Sequence, residues 1–251
     1  MSNASSKEPA PTKSVMKTPW NPWLGLLFVV VVFYTAQITG GLLVSIVPSF
    51  RDFDSVGAQF AFILAAESLS IGALYLFLRR YKLGFAAIGL RKPKWSDLGY
   101  GLMSVPVYFL IYVVTVAVVT HLIPGLDIHQ EQQLGFDDVK GALPLILTFI
   151  SLVVLPPLTE ELLVRGFLYS SLKKAMPLVA AVITTSALFA IAHLPEGGAA
   201  GPLYIAAIDT FILSLVLIYL REKTDGLWAS ITLHAVKNGI AFTVLFIFHV
   251  S

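Results

Sequence analysis

Cysteine is absent from the 251 residues, which excludes disulfides, thiolate metal sites, a cysteine nucleophile and palmitoylation. Charge is scarce, with 13% of residues charged against 57% hydrophobic and a mean hydropathy of +0.81. That balance excludes a soluble domain and places the chain among polytopic membrane proteins. The formal net charge of +2 is too small to suggest a nucleic-acid partner, and no basic stripe is present. Also missing are His-Glu-x-x-His, Gly-x-Ser-x-Gly and Gly-x-Gly-Asp. Site-2-type zinc, rhomboid-like serine and aspartyl intramembrane proteases therefore have no signature here. No internal repeat is present, which removes support for an inverted-repeat transporter.

What is there is a series of apolar runs. They predict an all-α, polytopic helical bundle with spans at about residues 23–47, 57–78, 98–123, 142–172, 178–194, 202–220 and 226–249, each roughly long enough for a ~30 Å hydrocarbon core. Residues 1–19 read as a disordered polar tail and 20–251 as a single membrane domain. No A-x-A pattern follows the first run, so it reads as a membrane helix rather than a signal peptide, with Trp20 and Trp23 placed to anchor it at the interface. The fourth run holds Pro156-Pro157 and is too long for one straight span, so a break or kink is expected just before Glu160.

Lys and Arg are distributed unevenly between the connections. If seven spans alternate, one side receives Lys7, Lys13, Lys17, Arg79, Arg80, Lys82, Arg91, Lys92, Lys94, Lys173, Lys174, Arg221 and Lys223, and the other only Arg51 and Lys140. This predicts a cytoplasmic N-terminus in a cell membrane, with a bacterial inner membrane as the expected setting. Eight spans would reverse part of the count. The mixed apolar and basic stretch Phe85–Trp95 reads as either a membrane-surface segment or a solvated loop. The acidic connection 124–141, with Asp127, Glu131, Asp137 and Asp138, reads as an exposed outer loop.

Few strongly polar residues fall inside the spans, and such groups cost ~2.5–3.5 kcal/mol each on insertion scales, so they are functional candidates. The densest group is Glu160-Glu161-x-x-x-Arg165. Glu161 and Arg165 are i,i+4 neighbours and can pair, whereas Glu160 is rotated ~100° away and left free. His193 closes Phe189-x-x-x-His193, and His234-x-x-x-Asn238 again shares one helix face. At ~1.5 Å per residue the three motifs reach roughly compatible depths, and a site in the cytoplasmic half is expected. A glutamate beside neutral histidines in a dry pocket is a usable general base toward water, and a histidine with an asparagine amide suits a developing oxyanion. Glu160, His193 and His234 are equally the ligand set of a catalytic Zn2+ with an open position. Composition and spacing do not separate a glutamate-activated water from a zinc-bound one.

Plainer roles compete at each position. Glu161–Arg165 can be a structural clamp, and a lone membrane histidine is often an interhelical hydrogen bond. Glu67 and Asp209 read as packing or hydration groups, and Lys237 as neutralising an acid or snorkelling.

Taken in order on separate apolar helices, the three motifs resemble the CPBP family, also called Abi, which comprises type II CAAX prenyl endopeptidases and bacterial relatives linked to bacteriocin processing or self-immunity. The resemblance covers about residues 142–242, with Phe211, Leu215 and Thr224-Asp225-Gly226-Leu227-Trp228 also similar to the family's core. It implies an intramembrane endopeptidase, metalloprotease-like in the family's usual naming, that cleaves a membrane-associated, prenylated or leader peptide. By carry-over, Glu160 activates water with help from His193, His234 and Asn238 form the oxyanion side, and Glu161 with Arg165 supports the first motif. The alternative is a non-proteolytic immunity or scaffold protein that binds a bacteriocin-like peptide or a membrane partner. A proton-coupled transporter using Glu160, His193 and Asp209 as a relay ranks third.

Overall fold

The computed structural model describes residues 18–50, 52, 55–130, 132–136 and 139–248, except for the side chains of 199 and 200. Residues 1–17 of the expected tail, Arg51, and Glu131, Asp137 and Asp138 of the acidic connection lie outside the described residues. The described residues contain no strand. Seven helices are long and apolar enough to cross a membrane: α1 Pro22–Ser45, α2 Val56–Arg80, α3 Trp95–Leu122, α4 Ala142–Ala175, α5 Leu178–Gly198, α6 Tyr204–Thr224 and α7 Trp228–Ile247. Each matches an expected span to within a few residues. The chain is a multi-pass membrane protein.

Where a break or kink is expected, the proline pair interrupts the α-helix without ending it. Pro156 and Pro157 lack the N–H groups that would bond the carbonyl of Leu152 in an α- or a π-turn. The chain widens into a π-turn over Ile150–Val154 and restarts as α-helix at Leu155–Glu160, with both prolines in the first turn, where no N–H is required. A second π stretch, Glu161–Leu168, carries the arginine of the first motif. The helix therefore stays continuous through the prolines. The carbonyl of Leu152 takes its hydrogen bond from the side-chain amide of Asn238, at 3.0 Å.

α4 is enclosed over one stretch, where all eight residues of Glu161–Leu168 are buried. An aromatic cluster packs against it. Trp20 was expected at the interface but is buried, stacking on Phe167 at 4.8 Å while its indole N–H donates to Ser171 at 2.7 Å. A buried acceptor satisfies the one polar atom that would otherwise hold this ring at the headgroups. Trp23, by contrast, is exposed as expected.

The 81–94 connection is neither a free loop nor a surface helix. Its short turn Phe85–Ile88 inserts Ile88 fully into the core, and Gly89, at φ +100°, passes its carbonyl to the N–H of Leu227 at 3.0 Å. Arg91 then ties this connection to Asp97 (2.7 Å) and to the carbonyl of Thr224 (2.8 Å), while Trp228 donates to the Arg91 carbonyl at 2.6 Å. The basic end of the bundle is thereby clasped across α3, α6 and α7.

α3 and α7 meet at Gly101, where an added Cβ would lie 2.6 Å from Cβ of Thr232 and 2.8 Å from the Ala229 carbonyl oxygen. The backbone partner cannot turn aside, so Gly101→Ala is expected to separate the helices and cost about 1–3 kcal/mol. Gly72→Ala meets no atom within 4 Å and serves as the control. Thermal unfolding in detergent should show a lower midpoint for the first variant and little change for the second.

Candidate functional site

Two adjacent glutamates in one helix receive opposite environments. Glu161 is fully buried, and its Oε1 accepts from Arg165 Nη1 at 3.0 Å and from His234 Nδ1 at 3.0 Å. Glu160, one residue earlier, keeps a partly exposed side chain and faces two cavities. Its Oε2 makes no hydrogen bond to a described protein group. The helix rotation of ~100° per residue suffices to divide the pair this way.

Around Glu161 the geometry is over-determined. Arg165 is also fully buried and lays its guanidinium over the Phe189 ring, 4.1 Å from the centroid. Removing two charges from water is recovered only with close partners and an additional favourable surface. Phe189 supplies that surface, packs edge-on against His193 at 4.5 Å and stands perpendicular to His234 at 6.2 Å. One aromatic ring thus sets the positions of Arg165 and both histidines, and it belongs to the second motif.

The hydrogen-bond partners assign both imidazoles. A carboxylate oxygen and a carbonyl oxygen only accept, so Nδ1 of His234 donates to Glu161, and Nδ1 of His193 donates to the Phe189 carbonyl at 2.7 Å. Nε2 is then the free acceptor on each ring. For His234, Nε2 lies 3.7 Å from Glu160 Oε2, too long for a direct hydrogen bond. For His193, Nε2 lies 3.8 Å from Oε1 of Glu196. Asn238, also on the wall, spends one amide hydrogen on Leu152 and keeps the other.

The first cavity, about 290 Å³, is polar on several sides. Its walls include Glu160, His193, Asn238, Glu67 and Lys237. The second, about 230 Å³, is mostly apolar, bounded by Leu26, Val29 and Val30 of α1 and by Leu188 and Ile191 of α5. Phe33, Glu160, Leu163, His193 and Glu196 line both. The ionisable part of the shared wall thus separates a polar space from an apolar one.

The expected site residues fall into place unequally. Glu160, His193 and Asn238 line one cavity, and His234 reaches it from behind through Nε2. Glu161 and Arg165 are buried supports. The Glu160, His193 and His234 set considered for Zn2+ does not converge: among the described residues no three His, Asp or Glu side chains are placed to hold a metal ion. No step below is routed through one. Lys237 neutralises an acid, Asp209, at 2.8 Å, and the other oxygen of Asp209 accepts from the Tyr108 hydroxyl. This membrane-depth group joins α3, α6 and α7.

The sequence reading passed over Glu196 and Gln132. Gln132 Nε2 donates to Glu196 Oε2 at 2.7 Å, and Gln132 and Leu134 line the polar cavity. The 124–141 connection, read as an exposed outer loop, is exposed over most of its described residues, yet Gln132 and Leu134 reach the cavity wall. His193-x-x-Glu196 was visible as a spacing, but it sits where the apolar run ends. The cavity is also lined by Leu245 and Phe246, towards the end of α7 away from the clasped basic connections.

Comparison with known proteins agrees with the motifs. Residues 142–240 match the family model described as Rce1-like, type II CAAX prenyl endopeptidase, and this stretch contains all three motifs. The UPF0177 protein YxdF of Lactococcus lactis subsp. lactis (strain IL1403) is 25% identical over 173 residues, covering 68% of this chain and 89% of that protein. No solved structure matches the chain.

Because Glu161 holds Arg165 and His234 through one oxygen, Arg165→Leu should strand a buried carboxylate. The expected loss is about 3–5 kcal/mol, read as a lower midpoint of chemical unfolding in mixed micelles. An unchanged midpoint would show that the pair carries no structural weight.

Proposed function

We propose that the chain is an intramembrane endopeptidase in which Glu160 activates water to hydrolyse a peptide bond of a membrane-associated peptide, such as a prenylated or leader-type peptide. The observation that carries this reading is the division of the adjacent glutamates. Glu161 is fully buried and its Oε1 is taken by Arg165 and His234, whereas Glu160 keeps a partly exposed side chain that lines both cavities. The match of residues 142–240 to the Rce1-like endopeptidase family supports the same class of chemistry.

The residues divide the work as follows. A water held against the Glu160 carboxylate in the cavity gives it a proton as the water oxygen attacks the substrate carbonyl. His234 is held in the right tautomer by Glu161, as an orienting carboxylate holds a histidine in other hydrolytic sites. His193 Nε2, on the same cavity wall, accepts a hydrogen bond from water or substrate. The uncommitted N–H of Asn238 serves the oxyanion. When the C–N bond breaks, the leaving nitrogen takes the proton back from Glu160, so the enzyme ends unchanged. The apolar cavity between α1 and α5 receives the lipid-soluble part of the substrate, and the polar cavity receives the peptide backbone.

Positive charge at the clasped end supports a cytoplasmic N-terminus. The polar cavity then faces the far side of the membrane, with Gln132 on its wall.

Glu160→Gln keeps shape and volume and should leave the unfolding midpoint near that of the parent while lowering turnover by on the order of 10²–10⁴-fold. His193→Ala should also lower turnover. The measurement is cleavage of a peptide library in vesicles, followed by mass spectrometry. A folded Glu160→Gln protein that cleaves as fast as the parent removes the catalytic assignment. One that retains the cellular phenotype without cleaving favours a binding role instead.

A further inference from the structure

One carboxylate on the shared wall is not used by the steps above. Glu196 follows His193 by three residues, on the short turn Leu194–Ala200 at the end of α5. Its backbone N–H donates to the His193 carbonyl at 3.3 Å, and its own carbonyl accepts from the N–H of Gln133 at 2.9 Å. Its Oε2 accepts from Gln132 at 2.7 Å. Backbone and side chain are thus fastened from two directions, leaving Oε1 as the end that faces His193 Nε2 at 3.8 Å. With its side chain 31% exposed, Glu196 remains open to a ligand. Glu160, His193 and Glu196 are the three acid or imidazole residues that line both cavities.

A peptide lying across that wall brings two needs to one place. The carbonyl carbon requires a nucleophile, which Glu160 supplies. The nitrogen on the other side of the bond becomes more basic as the tetrahedral intermediate forms, and gains positive charge as it is protonated. A fixed carboxylate beside it stabilises that charge without reorganising. We propose that Glu196 is a further catalytic residue, accepting the hydrogen bond of the leaving nitrogen. This assignment rests on the hydrolytic reading given above.

The step balances without another reactant. Water's oxygen bonds to the carbonyl carbon, and one of its protons goes to Glu160. The C–N bond then breaks, its electron pair stays on nitrogen, and the Glu160 proton moves to that nitrogen. Glu196 takes no proton overall; it holds the N–H as the amine departs. Gln132 sets the aim of the Glu196 carboxylate, and Gln133 holds its backbone.

Leaving-group chemistry provides the test. The full-length protein is reconstituted in phosphatidylethanolamine and phosphatidylglycerol vesicles. A fluorogenic peptide that it cleaves at one mapped position is compared with the depsipeptide in which that amide is an ester. An alkoxide oxygen has no N–H to hold and departs without gaining positive charge. Glu196→Gln should lower kcat on the amide by on the order of 10²-fold while changing the ester by less than about threefold, and Glu196→Asp should recover part of the amide rate. KM should change little for either substrate. Equal losses on amide and ester would assign Glu196 a structural role, and no loss on either would remove it from the site. Both outcomes overturn this assignment and leave the hydrolytic reading standing. A parent protein that cleaves no member of the peptide library overturns the hydrolytic reading, and the Glu196 role with it.

Discussion

Oxygen Oε1 of Glu161 is the point on which the site depends. It accepts from an arginine four residues along its own helix and from a histidine seventy-three residues away on α7. Three groups that would each be costly alone in hydrocarbon become one compact assembly, closed on the far side by the Phe189 ring. Without it, Arg165 would be a buried unpaired cation and His234 would have no fixed tautomer. Glu160 stays outside this assembly and lines the two cavities instead.

The backbone contributes through the proline pair. Pro156 and Pro157 withhold two N–H groups, the helix widens, and the orphan carbonyl of Leu152 is satisfied by Asn238. The same proline step sets the rotation of Glu160 and Glu161 and draws α7 against α4. A charge-neutral device thereby joins the first motif to the third, and the Lys237–Asp209–Tyr108 group secures α7 to α3 and α6 on another side. α7 is held from three directions within the single turn that carries His234 and Asn238.

Much of this was legible in the residues. The spans follow from runs of apolar side chains, whose burial in lipid requires helix because the backbone has no other partner. The separation of Glu161 from Glu160 follows from the helix period. The role of Phe189 does not, since its contacts join residues on three helices and no spacing encodes them. Trp20 was misread because an aromatic at the end of a span signals an interface unless a buried acceptor such as Ser171 awaits it. Glu196 and Gln132 were missed for a related reason. They lie in connections, where polarity is ordinary, and only their meeting at the cavity wall gives them meaning.

Isotope transfer in a single turnover tests the central claim most directly. The reconstituted protein, in excess over a cleavable peptide, is allowed one turnover in H2¹⁸O, and both product and protein are analysed by mass spectrometry. If Glu160 acts as a base toward water, one ¹⁸O appears in the new carboxylate of the product and none in the Glu160 side chain. Label in Glu160 would mean that the carboxylate itself attacked the substrate, contradicting the account.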